Sequence, residues 1–172
     1  MSDPLQLTLR LIHIFGGVFW VGSLFFLMRF LMPAIAGSGA GGDVVMQQLA
    51  SKQKVGVFIP IAAGLTVLSG LGMYARYAMA SSGVWAQSRQ GMTYGVGGLA
   101  AIFALVIGAT MIGRSLEGIV KIQLDAHAAG RAFTADEEAT MARLKVRSAR
   151  GTRMAVRLLV ITVAAMAVAR YV

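Results

Sequence analysis

His13 is the only histidine inside any of the long apolar stretches of the chain, and it is followed by a tryptophan seven residues on and an arginine sixteen residues on, Trp20 and Arg29. An ionisable side chain at membrane depth is costly to bury, so it reads first as functional. Imidazole is a good axial ligand for heme iron. At about 100° per residue, Gly17 and Trp20 fall within roughly 40° of His13 on a helix, while Gly22 and Arg29 fall on the opposite side. His13, Gly17, Trp20 and Leu24 therefore share one stripe. A glycine one turn from the ring could lie beneath a flat macrocycle. Arg10, Arg76 and Arg89 are expected at the same end of the molecule, where they could meet heme propionates. No other span holds a histidine. The second axial position is left to Met73, to His13 of a second copy, or to no residue. The alternative for His13 is a hydrogen bond to a neighbouring backbone carbonyl or a lipid head.

The residues must be held by membrane-spanning helices. Only 13% of the 172 residues are charged and 57% are apolar, against about 25% charged in an average soluble domain. Four apolar stretches account for the difference, each near the ~20 residues that a spanning helix needs. The predicted architecture is all-α: a single integral-membrane four-helix bundle over 1–172, with spans at about 5–32, 54–79, 92–114 and 153–171. Ala34-Ile35-Ala36 resembles a signal cleavage site. The apolar run before it is too long for a signal sequence and Asp3 lies in its leader, so it is expected to stay as the first span.

Asp3-Pro4 is a helix start, with a capping residue and then proline at the first helical position. Pro33 is expected to stop that helix near Met32. Gly37 to Gly42 reads as a flexible loop, with the second helix beginning near Val44 or Met46. Ser81-Ser82-Gly83 marks the next turn, with Trp85, Tyr77 and Tyr94 as an interfacial aromatic group. Past Arg114 the helical pattern continues through Leu116, Ile119, Val120 and Leu124, and Gly130 is the expected stop. Thr134 to Glu137 reads as a capping box opening the last helix. The third and fourth helices should thus extend beyond the membrane as a hairpin over about 115–152. That hairpin is either a solvated, salt-bridged structure or a docking site for a partner or lipid.

Of the 16 basic residues, twelve (Arg29, Lys52, Lys54, Arg114, Lys121, Arg131, Arg143, Lys145, Arg147, Arg150, Arg153 and Arg157) belong to the hairpin side and only Arg10, Arg76, Arg89 and Arg170 to the other. The positive-inside rule then places both termini outside and the hairpin in the cytoplasm. The basic excess is accounted for by topology and anionic lipid heads, and no nucleic-acid partner is predicted. Cysteine is absent, which excludes disulfides and thiolate-held metals. All seven acidic residues lie at or beyond the predicted membrane surface, which argues against a proton relay or a cation-coupled transporter. His127 is expected to be solvated in the hairpin. The many glycines of the spans, among them Gly16, Gly17, Gly64, Gly70 and Gly72, suit close helix packing.

The spacing of His13, Trp20, Gly22 and Arg29 in a first span resembles the superfamily of copper resistance protein D and the HemJ-type protoporphyrinogen oxidases, four-helix membrane proteins that bind b-type heme. The likeness extends loosely over the chain: Gly70 and Gly72 in the second span, a basic segment after the third, and a final span. It implies that His13 is a heme ligand and that the protein has a redox or electron-transfer role in the bacterial inner membrane. The oxidases use a lysine at the start of the third span. Gly91, Met92 and Tyr94 stand there, and no lysine follows until Lys121, so a divergent member is implied. Copper handling is the alternative, with thioethers of Met28, Met32, Met73 and Met79 as Cu(I) ligands, although eleven methionines also suit plain packing. A third possibility is a non-catalytic subunit of a homo-oligomer or larger membrane complex.

Overall fold

The computed structural model describes residues 3–172, and the side chains of all of these except 40, 43, 47, 50 and 51. Helices α1 (Pro4–Phe26), α2 (Met32–Gly37), α3 (Ala40–Ser51), α4 (Val55–Ala80), α5 (Arg89–Ile107), α6 (Arg114–Ala128) and α7 (Ala135–Val168) follow one another, with no strand among the described residues. Four continuous helical stretches are long and apolar enough to cross a membrane: Pro4–Gly37, Val55–Ala80, Arg89–Ala128 and Ala135–Tyr171. The chain is a multi-pass integral membrane protein.

Pro33 does not stop the first helix. Residues Leu27–Leu31 widen into a π-helical turn in which the Met32 amide reaches back five residues to the Leu27 carbonyl, and helical backbone continues through Pro33 to Gly37. Widening the turn just ahead of proline gives room for a ring that carries no donor. The expected loop over Gly37 to Gly42 is also shorter. Only Ser38 and Gly39 separate α2 from α3. The next helix begins at Ala40, earlier than the expected Val44 or Met46, and ends at Ser51; Lys54, in the left-handed region at φ 50°, breaks it from the spanning helix α4. A second π-helical turn, Gly108–Gly113, joins α5 to α6 in one unbroken rod, and the Arg147 guanidinium of α7 donates to the Thr110 carbonyl within it (3.1 Å).

The local signals at the helix ends are realised. Asp3 accepts from the Leu5 and Gln6 amides. The Thr134–Glu137 capping box is formed in both directions. Gly130 has φ +60°, which terminates the third rod. At 34 residues, α7 is about 51 Å long, against roughly 30 Å of hydrocarbon core; the hairpin of α6 and α7 accordingly continues past any membrane the bundle could fill.

The bundle is two tight helix pairs, α1 with α4 and α5 with α7, closed by contacts of α4 with α5 and of α1 with α7. A single large side chain joins them. Trp20 of α1, 3% exposed, sits among Ala63 of α4, Ala101 and Ala104 of α5, and Ala155 and Leu159 of α7. Lipid tails are as apolar as the helices, so association depends on close packing rather than on escape from water. A bulky ring in an alanine-lined hole supplies such packing. Thr162 adds a hydrogen bond from α7 to the Gly97 carbonyl of α5 (3.1 Å).

Candidate functional site

His13 lies at the α1–α4 contact, and its neighbours there are mostly backbone. The Nδ1 atom is 2.7 Å from the carbonyl oxygen of Thr66. A carbonyl only accepts, so Nδ1 carries a proton and donates; in the neutral form of the ring the lone pair is then at Nε2. The same carbonyl accepts the Ser69 hydroxyl (3.1 Å), while the Thr66 hydroxyl turns back to Ala62 (2.7 Å). Thr66 and Ser69 are buried. Both hydroxyls are thus satisfied inside α4, in the manner usual for such residues in membrane helices.

Two glycines make this approach possible. A β-carbon on Gly70 would stand 2.8 Å from Cε1 and 3.0 Å from Nδ1 of His13, and one on Gly16 would stand 2.6 Å from the Thr66 hydroxyl. Any larger residue at either position would push the helices apart. Gly70 was visible in the sequence as one small residue among many. Thr66 gave no signal, because the atom it contributes belongs to the main chain.

The other residues singled out from the sequence are placed as follows. Gly17 is one turn from His13 as expected, but the space left by its missing side chain faces the Thr66 methyl at 3.5 Å, so α4 lies where a macrocycle would have to fit. Trp20 is turned into the bundle core. Arg76 is bound to the Asp3 carboxylate in an exposed ion pair that ties the end of α4 to the start of α1. Arg10 and Arg89 are exposed, and Met73 is half-buried one turn beyond Gly70. Through the Asp3–Arg76 pair, Met73 and Met79 fall at the terminal end of the bundle, whereas Met28 lies in the first π-helical turn and Met32 directly after it, at the other; the four form no single ligand set. Among the described residues no three His, Asp or Glu side chains cluster as metal ligands.

Tyr74, Tyr77 and Tyr94 surround Trp85, with ring centroids 5.1, 5.2 and 6.2 Å away. The Trp85 Nε1–H donates to the Gln90 side chain (3.1 Å). Such a cluster, apolar in body and polar at its tips, suits a membrane–water boundary. At the opposite end, a cavity of about 530 Å³ opens between α1, α3 and α4. His13 lines neither it nor the smaller cavity of about 170 Å³ beside Asp3 and Arg76.

Compared with known proteins, the chain matches no family model, no curated protein and no solved structure.

The bond to Thr66 orients the His13 ring through Nδ1, the nitrogen that a heme iron held by Nε2 would not use. The surroundings expected from the sequence do not assemble around it, since Gly17, Trp20 and Arg76 are each engaged elsewhere.

Proposed function

We propose that this protein belongs to the bacterial inner membrane, with both termini outside and the hairpin in the cytoplasm, and that it ligates b-type heme through Nε2 of His13 in an electron-transfer role. The observation that carries the reading is the 2.7 Å contact of Nδ1 with the Thr66 carbonyl. Metal-bound histidines commonly spend their second nitrogen on such an acceptor, which fixes the tautomer and raises the basicity of the ligating one. Bound heme would supply one-electron chemistry. The residues of this chain hold the ring: Thr66 orients it and Gly70 admits it. Exposed Arg10 and Arg89 remain as counter-charges for propionates. The orientation in the membrane is supported by the collection of twelve of the 16 basic residues at the hairpin end.

A second reading is favoured by the packing itself. The His13–Thr66 hydrogen bond, with Trp20 in its alanine-lined hole, is sufficient as a helix fastener in a scaffold subunit. The two readings separate in His13→Asn, whose amide can keep the bond to Thr66 but offers nothing in place of Nε2. The heme reading expects full-length protein in detergent, loaded with hemin, to show a Soret band that His13→Asn abolishes without lowering thermal stability. Absence of the band from hemin-loaded wild-type protein, together with a destabilised His13→Ala, would favour the scaffold.

A further inference from the structure

The cavity at the hairpin end has walls of Phe19 and Ser23 from α1, Leu31 from the π-helical turn, Leu49 from α3 and Phe58 from α4, with Gln53 at its mouth. Its volume of about 530 Å³ lies within the roughly 300–1,000 Å³ of ordinary ligand sites. The walls are almost wholly apolar, so an inorganic anion has nothing to occupy there. Lys52 and Lys54, both exposed, adjoin the lining residue Gln53 on either side. Arg29, exposed on the turn between the lining residues Leu27 and Leu31, holds its guanidinium over the Phe30 ring, 5.8 Å from the centroid. From residue 29 to residue 54 the sequence holds one acid, Asp43, against these three cations. A second copy of the chain would bring the same three cations against these.

We propose that the groove holds one acyl chain of an anionic glycerophospholipid, with its phosphate held by Lys52 and Lys54 and its ester region by the Gln53 amide. An amphiphile with an anionic head and an apolar tail is complementary to both parts of the site. Each lysine near a membrane surface contributes enough attraction to an anionic lipid to change binding about fivefold. This site is independent of what His13 ligates.

The test is native mass spectrometry of the full-length, detergent-solubilised protein, mixed with equal amounts of phosphatidylglycerol and phosphatidylcholine carrying the same acyl chains. Wild-type protein is expected to retain one phosphatidylglycerol per chain in preference to phosphatidylcholine. Lys52→Gln with Lys54→Asn should reduce that preference by about fivefold for each lysine; asparagine is chosen because it tolerates the left-handed backbone at residue 54. Ile59→Trp, which fills the groove, should abolish retention of both lipids. Arg143→Gln with Lys145→Gln in the hairpin should leave it unchanged. Equal retention of the two lipids by wild type would overturn the proposal. So would an equal loss in the hairpin variant, or a lipid-free dimer broken by Ile59→Trp. If Ile59→Trp does not fold, the lysine and hairpin variants alone decide.

Discussion

The imidazole of His13 occupies the space that a side chain at Gly70 would need: Cε1 lies 2.8 Å from where the β-carbon would be. The ring is consequently held by the main chain of α4 on two sides, against the Gly70 backbone and on the Thr66 carbonyl. A histidine at this depth would otherwise have to find water or a lipid head. Here one glycine and one backbone acceptor allow it to stay in the helix contact.

Gly70→Ala should therefore displace the ring and separate α1 from α4. Overpacking of this kind costs about 1–3 kcal/mol, to be read as reduced thermal stability in detergent. Any heme band that depends on His13 should fall with it. Gly64→Ala, at a position with open space around it, should leave both unchanged.

Trp20→Ala should weaken the whole bundle, because Trp20 is the largest member of a buried cluster drawn from four helices. The penalty is expected at about 2–3 kcal/mol, under the roughly 3–5 kcal/mol of soluble cores, since in lipid the cavity and lost contacts count but the transfer from water does not. Trp20→Phe, a milder change, should leave a Soret band unmoved. A shifted band in Trp20→Phe would show that the tryptophan touches the cofactor.

The absence of cysteine makes topology directly measurable. Ser82→Cys in the turn before α5 should react with a membrane-impermeant maleimide in intact cells. Ala132→Cys at the hairpin tip should react only after the membrane is opened. The reverse pattern would invert the proposed orientation.

The hairpin tip should be sensitive to strong acid. Arg131 makes a two-point ion pair with Glu137 (2.8 Å for both contacts), and the Thr134 amide donates to the same carboxylate (2.9 Å). These contacts hold the Glu137 carboxyl down at about 2 against an ordinary 4.5, and the Glu137 carboxylate in turn raises the pKa of the Arg131 guanidinium. A depressed carboxylate stabilises the fold above its unfolded value and loses that contribution as pH falls through the folded one. The capping box should thus be fully formed at pH 5 and open on acidification toward about 2. The Thr134 amide resonance is expected to titrate near the lower value, and Glu137→Gln should remove that titration.

Some of this was legible in the residues alone. The helix pattern and its punctuation are local properties: Asp3 before Pro4, Gly130, and the box from Thr134 to Glu137 act through backbone groups within a few residues. A membrane also permits few alternatives to helices for four apolar stretches. For the same reason the lengths of the two hairpin helices and the aromatic group at Trp85 followed from sequence, to which the structure adds Tyr74. Pro33 misled because its usual effect, ending a helix, was relieved by a π-helical turn that no residue type announces.

What only the tertiary structure decided is which face of each helix looks inward. In water an apolar stripe marks the buried side. In a membrane both sides are apolar, so the stripe holding His13, Gly17 and Trp20 could equally have faced a cofactor, a lipid or a neighbouring helix. Packing divided it, sending Trp20 into the core and setting Gly17 against Thr66. Arg76 found Asp3, 73 positions away in sequence. The partner of His13 is a carbonyl oxygen that every residue carries, and only the closeness of two helices at Gly16 and Gly70 selects Thr66. The sequence determined that a histidine would lie within a membrane span; the packing of α1 on α4 determined which of its nitrogens is bound to the backbone.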